Sequence, residues 1–281
     1  MPPRSPATAA ARPAPPELLV HPAAGAGDCV GGGRGGFRSI RLHGKDRLLS
    51  RVTLRGDQIV VDLKRQTMNI PGPGALLIED YAFGERRKRG GPQQSVSMFT
   101  TGDSGPSQTA FHWANGMSYF VDQALVKFDR QVSMRHVSGD YLMAKDELAQ
   151  AMRLDPLKIK LPPGRKADLS CDDLMVQFLQ SQAAAAAPQA LDVRGADLRQ
   201  LVASGTVHLQ EGTKSLMGDR LTFSRDTNRV AVEGSDQFEA RIFDQDEQSQ
   251  RFNMWRGPVL VWDRATNRIE SPNATVMSRG R

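Results

Sequence analysis

Apolar and polar residues alternate along most of this chain in short runs separated by turn residues, and the alternation predicts β-strands. Ser39-Ile40-Arg41-Leu42, Arg51-Val52-Thr53-Leu54, residues 58–63 and Thr67-Met68-Asn69-Ile70 all show period two. Successive strand side chains point to opposite faces, so each run has one wet and one dry face. A second β region starts near Phe111, with strands over 117–120, 124–128 and 131–134. From Ala190 the pattern is cleanest: strands over 198–203, 206–210, 219–224, 229–233, 238–243, 251–255, 259–262 and 268–271 alternate with turns such as Ser204-Gly205, Glu211-Gly212 and Asp226-Thr227-Asn228. Residues 145–155 read as the one short helix, ended by Pro156. Short strands at this spacing predict an all-β sandwich, jelly roll or solenoid.

An internal repeat sharpens the picture. Gly56-Asp57-Gln58-Ile59-Val60-Val61 opens a run ending at Met68-Asn69-Ile70-Pro71-Gly72, and Gly218-Asp219-Arg220-Leu221-Thr222-Phe223 opens a run of equal length ending at Val230-Ala231-Val232-Glu233-Gly234. A third run from Gly257 keeps the register, with Leu260 on Leu221, Trp262 on Phe223 and Ile269 on Val230. Asp172, Leu174 and Val176 fit the same frame, which favours a strand over the helix that local propensity would allow there. A short self-similar unit without catalytic residues points to stacked structural modules.

The apolar members of the repeat fall on one face of each strand. Ile59, Val61, Val207, Leu209, Leu221, Phe223, Val230, Val232, Leu260 and Trp262 therefore form a continuous dry stripe when the units stack. In a closed sandwich that stripe is core; in an open one it is a groove for an acyl chain, worth about 0.8 kcal/mol per buried methylene.

The 281 residues suffice for one large domain or two ordinary ones. The chain divides into a Pro/Ala/Gly-rich segment 1–36 read as disordered, a first β unit 37–83, a basic Gly/Ser-rich loop or linker 84–107, and a main β unit 108–277 with an insertion near 138–168. The net charge of +6 suits an anionic partner without specifying one. The sharp charge cluster, Arg86-Arg87-Lys88-Arg89, is a candidate for anionic lipid headgroups; no aromatic residues are interleaved with it, which argues against nucleic acid. Nothing approaches the roughly 18 apolar residues of a membrane-spanning helix. No secretory signal is visible in 1–36. Either the protein stays inside or its natural precursor starts upstream of Met1.

Catalytic and metal motifs are weak. Gly102-Asp103-Ser104-Gly105-Pro106 is reminiscent of a serine nucleophile loop but has no companion histidine motif, so no enzyme is expected. The five histidines are scattered without metal-ligand spacing, the two cysteines (Cys29 and Cys171) form no CxxC pair, and Asp244-Gln245-Asp246-Glu247 reads as a hairpin tip. No cofactor and no metal are expected.

Residues 202–212, Val-Ala-Ser-Gly-Thr-Val-His-Leu-Gln-Glu-Gly, followed by Gly218-Asp219-Arg220-Leu221-Thr222-Phe223 and 228–234, Asn-Arg-Val-Ala-Val-Glu-Gly, resemble the OstA-like family of lipopolysaccharide-transport periplasmic bridge proteins and the N-terminal domain of the organic solvent tolerance protein. The resemblance is weaker at 52–72 and 132–178, and partial at 252–271. It implies a twisted β jelly roll of repeated hairpins in the periplasm or cell envelope. It also implies a non-enzymatic role relaying lipopolysaccharide or a similar amphipathic lipid along an apolar groove, with other jelly-roll envelope proteins as edge-strand partners and no nucleic acid. The alternative is a closed β scaffold that pairs edge strands and binds no lipid.

Overall fold

The computed structural model describes residues 36–43, 48–62, 64–81, 106–139, 142–160, 166–178, 198–245, 252–271 and 275–279. They form seventeen strands: β1 (Gly36–His43), β2 (Leu48–Gly56), β3 (Val60–Asp62), β4 (Thr67–Pro71), β5 (Gly74–Asp80), β6 (Ser107–Trp113), β7 (Gly116–Phe120), β8 (Leu125–Ser138), β9 (Lys166–Phe178), β10 (Leu198–Glu211), β11 (Lys214–Ser224), β12 (Arg229–Glu233), β13 (Ala240–Gln245), β14 (Phe252–Gly257), β15 (Val259–Asp263), β16 (Arg268–Glu270) and β17 (Thr275–Arg279). All pairings are antiparallel and join the strands into one network, and the network is folded double. Sheet A runs β1-β2-β5-β6-β8-β9-β10-β11-β13-β14-β17. Sheet B runs β3-β4-β7-β8-β9-β10-β11-β12-β15-β16. The four long central strands belong to both sheets. Apart from β1, the others occur as consecutive pairs, such as β2/β3 and β12/β13, with one strand in each sheet. The chain is thus a meander of bent hairpins, an all-β jelly roll, as expected from the sequence.

The bends have local causes. In β10 the register shifts between Ser204 and Val207, where Gly205 and Thr206 adopt φ of +71° and +39°. In β8 the shift lies between Asp129 and Val132, with Arg130 and Gln131 at +61° and +49°. An unpaired residue of this kind bends its strand and re-aims the chain. Ser204-Gly205, expected as a turn between two strands, is therefore a corner inside one strand.

The same corner explains the repeat. A Cβ on Gly56 would lie 2.3 Å from Cγ2 of Ile70, and one on Gly218 would lie 2.6 Å from Cγ1 of Val232 and 2.6 Å from the Glu233 carbonyl oxygen. Ile70 and Val232 are equivalent positions of the repeat. The glycine that opens each of these two units leaves room for the branched side chain on its returning strand. Gly218→Ala is expected to cost about 1–3 kcal/mol, the range for overpacking a filled interior, because one obstacle is backbone. Urea unfolding measures it; an unchanged midpoint would contradict this account of the repeat.

The ladder crosses the 84–107 segment without a break: β5 pairs with β6 from Gly74↔Trp113 to Asp80↔Ser107, and β4 pairs with β7. The insertion packs on the outer face of sheet A. Helix α1 (Lys145–Ala151) and a 3₁₀ turn (Pro156–Lys158) bring Met143, Leu148, Ala151, Met152 and Ile159 against Ala75, Leu77, Ala110 and Val137. The Gln108 side chain accepts from the Met143 amide at 2.7 Å, Arg55 donates to the Met152 carbonyl at 2.8 Å, and Arg135 donates to the Ile159 carbonyl while forked on Asp168 at 2.6 and 2.8 Å. The helix is shorter than the expected 145–155. Its first turn is closed by the Glu147 carboxylate accepting from the Ala144 amide at 2.6 Å. Proline at 156 holds Asp155 out of the helical region (ψ 120°), so the chain leaves the helix before it.

Candidate functional site

The facing surfaces of the two sheets make a single apolar interior. Strand register arranges it in rows. In sheet B one row runs Val61-Met68-Tyr119-Val126-Val176-Leu201-Phe223-Val230-Trp262-Ile269, each residue opposite the next. Beside it, nearer the corner, lies Ile70-Met117-Phe128-Leu174-Ala203-Leu221-Val232-Leu260. Sheet A answers with Leu54-Leu76-Phe111-Met134-Leu169-Leu209-Leu216-Ile242-Trp255-Val276. With strands about 4.8 Å apart, a row of ten spans about 43 Å.

Eight of the ten stripe residues expected from the sequence lie buried in this interior: Val207, Leu209, Leu221, Phe223, Val230, Val232, Leu260 and Trp262. Ile59 packs at its margin, and Val61, at the open end of its row, is 53% exposed. The sheet A row ends on β17 at Val276, which is 58% exposed, while at its other edge β1 places Arg38 opposite Leu54. Between the ends the interior is filled. Leu221, Phe223, Val230, Val232 and Leu260 are all 0% exposed, and Phe111 of sheet A stacks on Phe128 of sheet B at 4.9 Å. Arg86, Arg87, Lys88, Arg89 and Ser104 lie outside the described residues. So does the Cys29 side of any cysteine pair; Cys171 is a buried thiol pushed up to about 12 by burial. Among the described residues no cluster of His, Cys, Asp or Glu could hold a metal, and no helix is long and apolar enough to cross a membrane.

At the edge farthest from the corner, the inner face of sheet A turns polar. The next row reads Thr109-His136-Ala167-Glu211-Lys214-Asp244. Arg264, just past β15, reaches across from sheet B and pairs with Glu211. The Arg264 side chain is fully buried and Glu211's is 14% exposed. The guanidinium stands over the rings of Phe223 (5.8 Å) and Trp262 (5.5 Å), which gives a desolvated cation two electron-rich faces. Lys214 stands 5.4 Å over Trp262 and pairs with Asp244 at 2.9 Å, while Thr213 donates to Asp244 at 2.8 Å. Asp244, expected at a hairpin tip, is thus an inward strand residue. The Ile242 alternation extends by one more step to reach it.

Burial governs the charges here. It raises the Glu211 carboxyl above the ordinary range, outweighing the attraction of Arg264 and then of Lys214. It lowers His136 to about 4, with the Arg264 charge adding to the effect, so the ring is neutral at physiological pH. His136 Nδ1 lies 2.8 Å from the Thr109 hydroxyl. Buried oxygens of Glu211 (Oε2), Asn228 (Oδ1) and Ser138 (Oγ) have no hydrogen-bond partner among the described residues. Sequence reasoning passed over this polar row. The signal was present in charged residues continuing an inward period-two pattern: Leu209 to Glu211, Leu216 to Lys214, Trp262 to Arg264.

No protein-family model matches the chain, and no curated protein sequence matches it. Among solved structures it is similar to LptH from Pseudomonas aeruginosa, described as the LptA-homologous periplasmic component of the conserved lipopolysaccharide transport device, with 8% sequence identity and a TM-score of 0.33 over 57% of this chain and 86% of that one. The fold assignment above rests on the strand pairings themselves.

Proposed function

We propose that this protein is a non-enzymatic lipid carrier of the cell envelope that takes the acyl chains of a lipopolysaccharide-type amphiphile between its two sheets. The observation that carries this reading is the pair of facing apolar row systems, one of which reaches an exposed apolar end at Val61 in sheet B and the other at Val276 in sheet A. The interior is filled by its own side chains, so lipid enters by parting the sheets. Returning a large apolar side chain to water costs about 1.5–3 kcal/mol. An acyl chain of about eleven methylenes recovers about 9 kcal/mol, enough to offset about three to six such side chains.

The second reading, a closed β scaffold, draws on the complete burial of Leu221, Phe223, Val230 and Leu260. Titration with dansylated undecanoic acid, and competition by lipid A, separates the two. The carrier reading expects saturable uptake that weakens about tenfold in Val61→Asp and in Val276→Asp, the equivalent of losing one valine contact of about 1.4 kcal/mol. Both sites are exposed, so both variants should fold. No saturable uptake by the unaltered protein would leave the scaffold reading standing.

A further inference from the structure

We propose that the mouth of the jelly roll carries an internal anion site: Arg264 takes the phosphate or carboxylate headgroup of an amphiphile whose chain lies on the apolar rows, and Glu211 fills that site as a built-in competitor that the headgroup displaces. The inference rests on the carrier reading and adds to it a headgroup class and an orientation.

Arginine presents a planar fork that matches carboxylate and phosphate alike. The carboxylate now in the fork comes from the opposite sheet, 53 residues away in sequence, and bridges the one edge where the sheets are not joined by continuous strands. The pair is therefore a latch as well as a site. Its position fits an amphiphile. The rings that carry Arg264 belong to Phe223 and Trp262, the outermost inward residues of β11 and β15. An anion held by Arg264 would lay its first methylenes on those rings and the rest along the rows beneath.

Glu211 is placed to leave. It is the last residue of β10, next to the hairpin residue Gly212 with φ of +56°, and its side chain retains some exposure while that of Arg264 has none. Its second oxygen is buried without a hydrogen bond, and burial holds the carboxyl toward its protonated form. The backbone carbonyl of Asn228 accepts from the Arg264 amide at 3.1 Å and fixes the chain where the guanidinium turns inward. The neighbouring cation of the row, Lys214, is paired with Asp244.

The test compares dodecyl phosphate, dodecyl maltoside and inorganic phosphate on the full chain. Glu211→Gln is expected to bind dodecyl phosphate at least about tenfold more tightly than the unaltered protein, the equivalent of about 1.4 kcal/mol, with dodecyl maltoside unchanged. Glu211→Asp, which keeps the charge but shortens its reach, should show a smaller gain in the same direction. The double variant Glu211→Leu/Arg264→Met should bind the two amphiphiles without preference. If the ratio of phosphate to maltoside affinity is the same in all forms, the headgroup site is overturned while the carrier reading stands. If neither amphiphile binds any form, the carrier reading falls and the site with it. If inorganic phosphate binds Glu211→Gln as tightly as dodecyl phosphate does, the site takes a free anion and the lipid assignment is overturned.

Discussion

Arg264→Met is expected to destabilise the protein by about 3–5 kcal/mol, and the double variant Glu211→Leu/Arg264→Met to be as stable as the unaltered protein or more so. The asymmetry follows from where the charges sit. The Arg264 side chain has no exposure and its partner little, so both have given up their water. In such a site the mutual attraction does little more than offset desolvation, and removing one partner strands the other at about 3–5 kcal/mol. Replacing both with apolar side chains of similar volume removes the penalty along with the attraction. Methionine also preserves contact with the Phe223 and Trp262 rings that now face the guanidinium. A double-mutant cycle by guanidinium chloride unfolding reads the coupling directly. A cost below about 1 kcal/mol for Arg264→Met would mean that the pair behaves as an exposed one, and its role as a closure would fail. The expected result has a consequence for function. A buried ion pair that contributes no net stability is not explained by stability. Its bridging position between the sheets is consistent with a closure that a competing anion can open.

The elements that were legible in the sequence are those with one wet and one dry face. The strands around Val52, Met68, Leu221, Val230 and Leu260 alternate because only their inner sides are covered. Strand β5, Gly-Ala-Leu-Leu-Ile-Glu-Asp, gave no alternation and was not expected. Its two faces are both buried, Leu76 in the interior between the sheets and Ala75 and Leu77 under the insertion, so the polar half of the signal is missing. Corners misled for a different reason. Gly205 has the chemistry of a hairpin turn, yet the chain continues across it as one strand, and local chemistry does not tell a reversal from a bend. The repeat register at Asp172 held against helix propensity because the strand's partners on both sides, β8 and β10, are set by long-range pairing. The polar row at the mouth was hidden because charged residues flanking turns normally read as solvated. Only the pairing of Glu211 with Lys214, and the approach of Arg264 from the other sheet, show that they face inward.

Lowering the pH from about 7 to about 5 is expected to remove about 2 kcal/mol of stability through His136 alone, and about 3 kcal/mol by pH 4. The ring is enclosed between Thr109, the cross-strand row leading to Glu211, and the Arg264 guanidinium, and its folded pKa is about 4 against about 6.5 in the unfolded chain. A depressed folded value means that the unfolded state takes up the proton first. The contribution is therefore complete above pH 6.5 and is lost as pH falls through that window toward 4. Glu211 works in the opposite sense. Its folded value is raised, so the native state gains the proton first as pH falls toward the ordinary carboxyl value of 4.5, which restores part of what His136 loses. His136→Phe separates the two. It should be less stable at neutral pH by about 1 kcal/mol for the lost Thr109 hydrogen bond, yet its stability should hold level or rise slightly between pH 7 and 5 where the unaltered protein declines. Urea unfolding at a series of pH values measures both slopes. Parallel slopes would mean that the ring titrates as it does in water, and that the mouth is wet rather than closed.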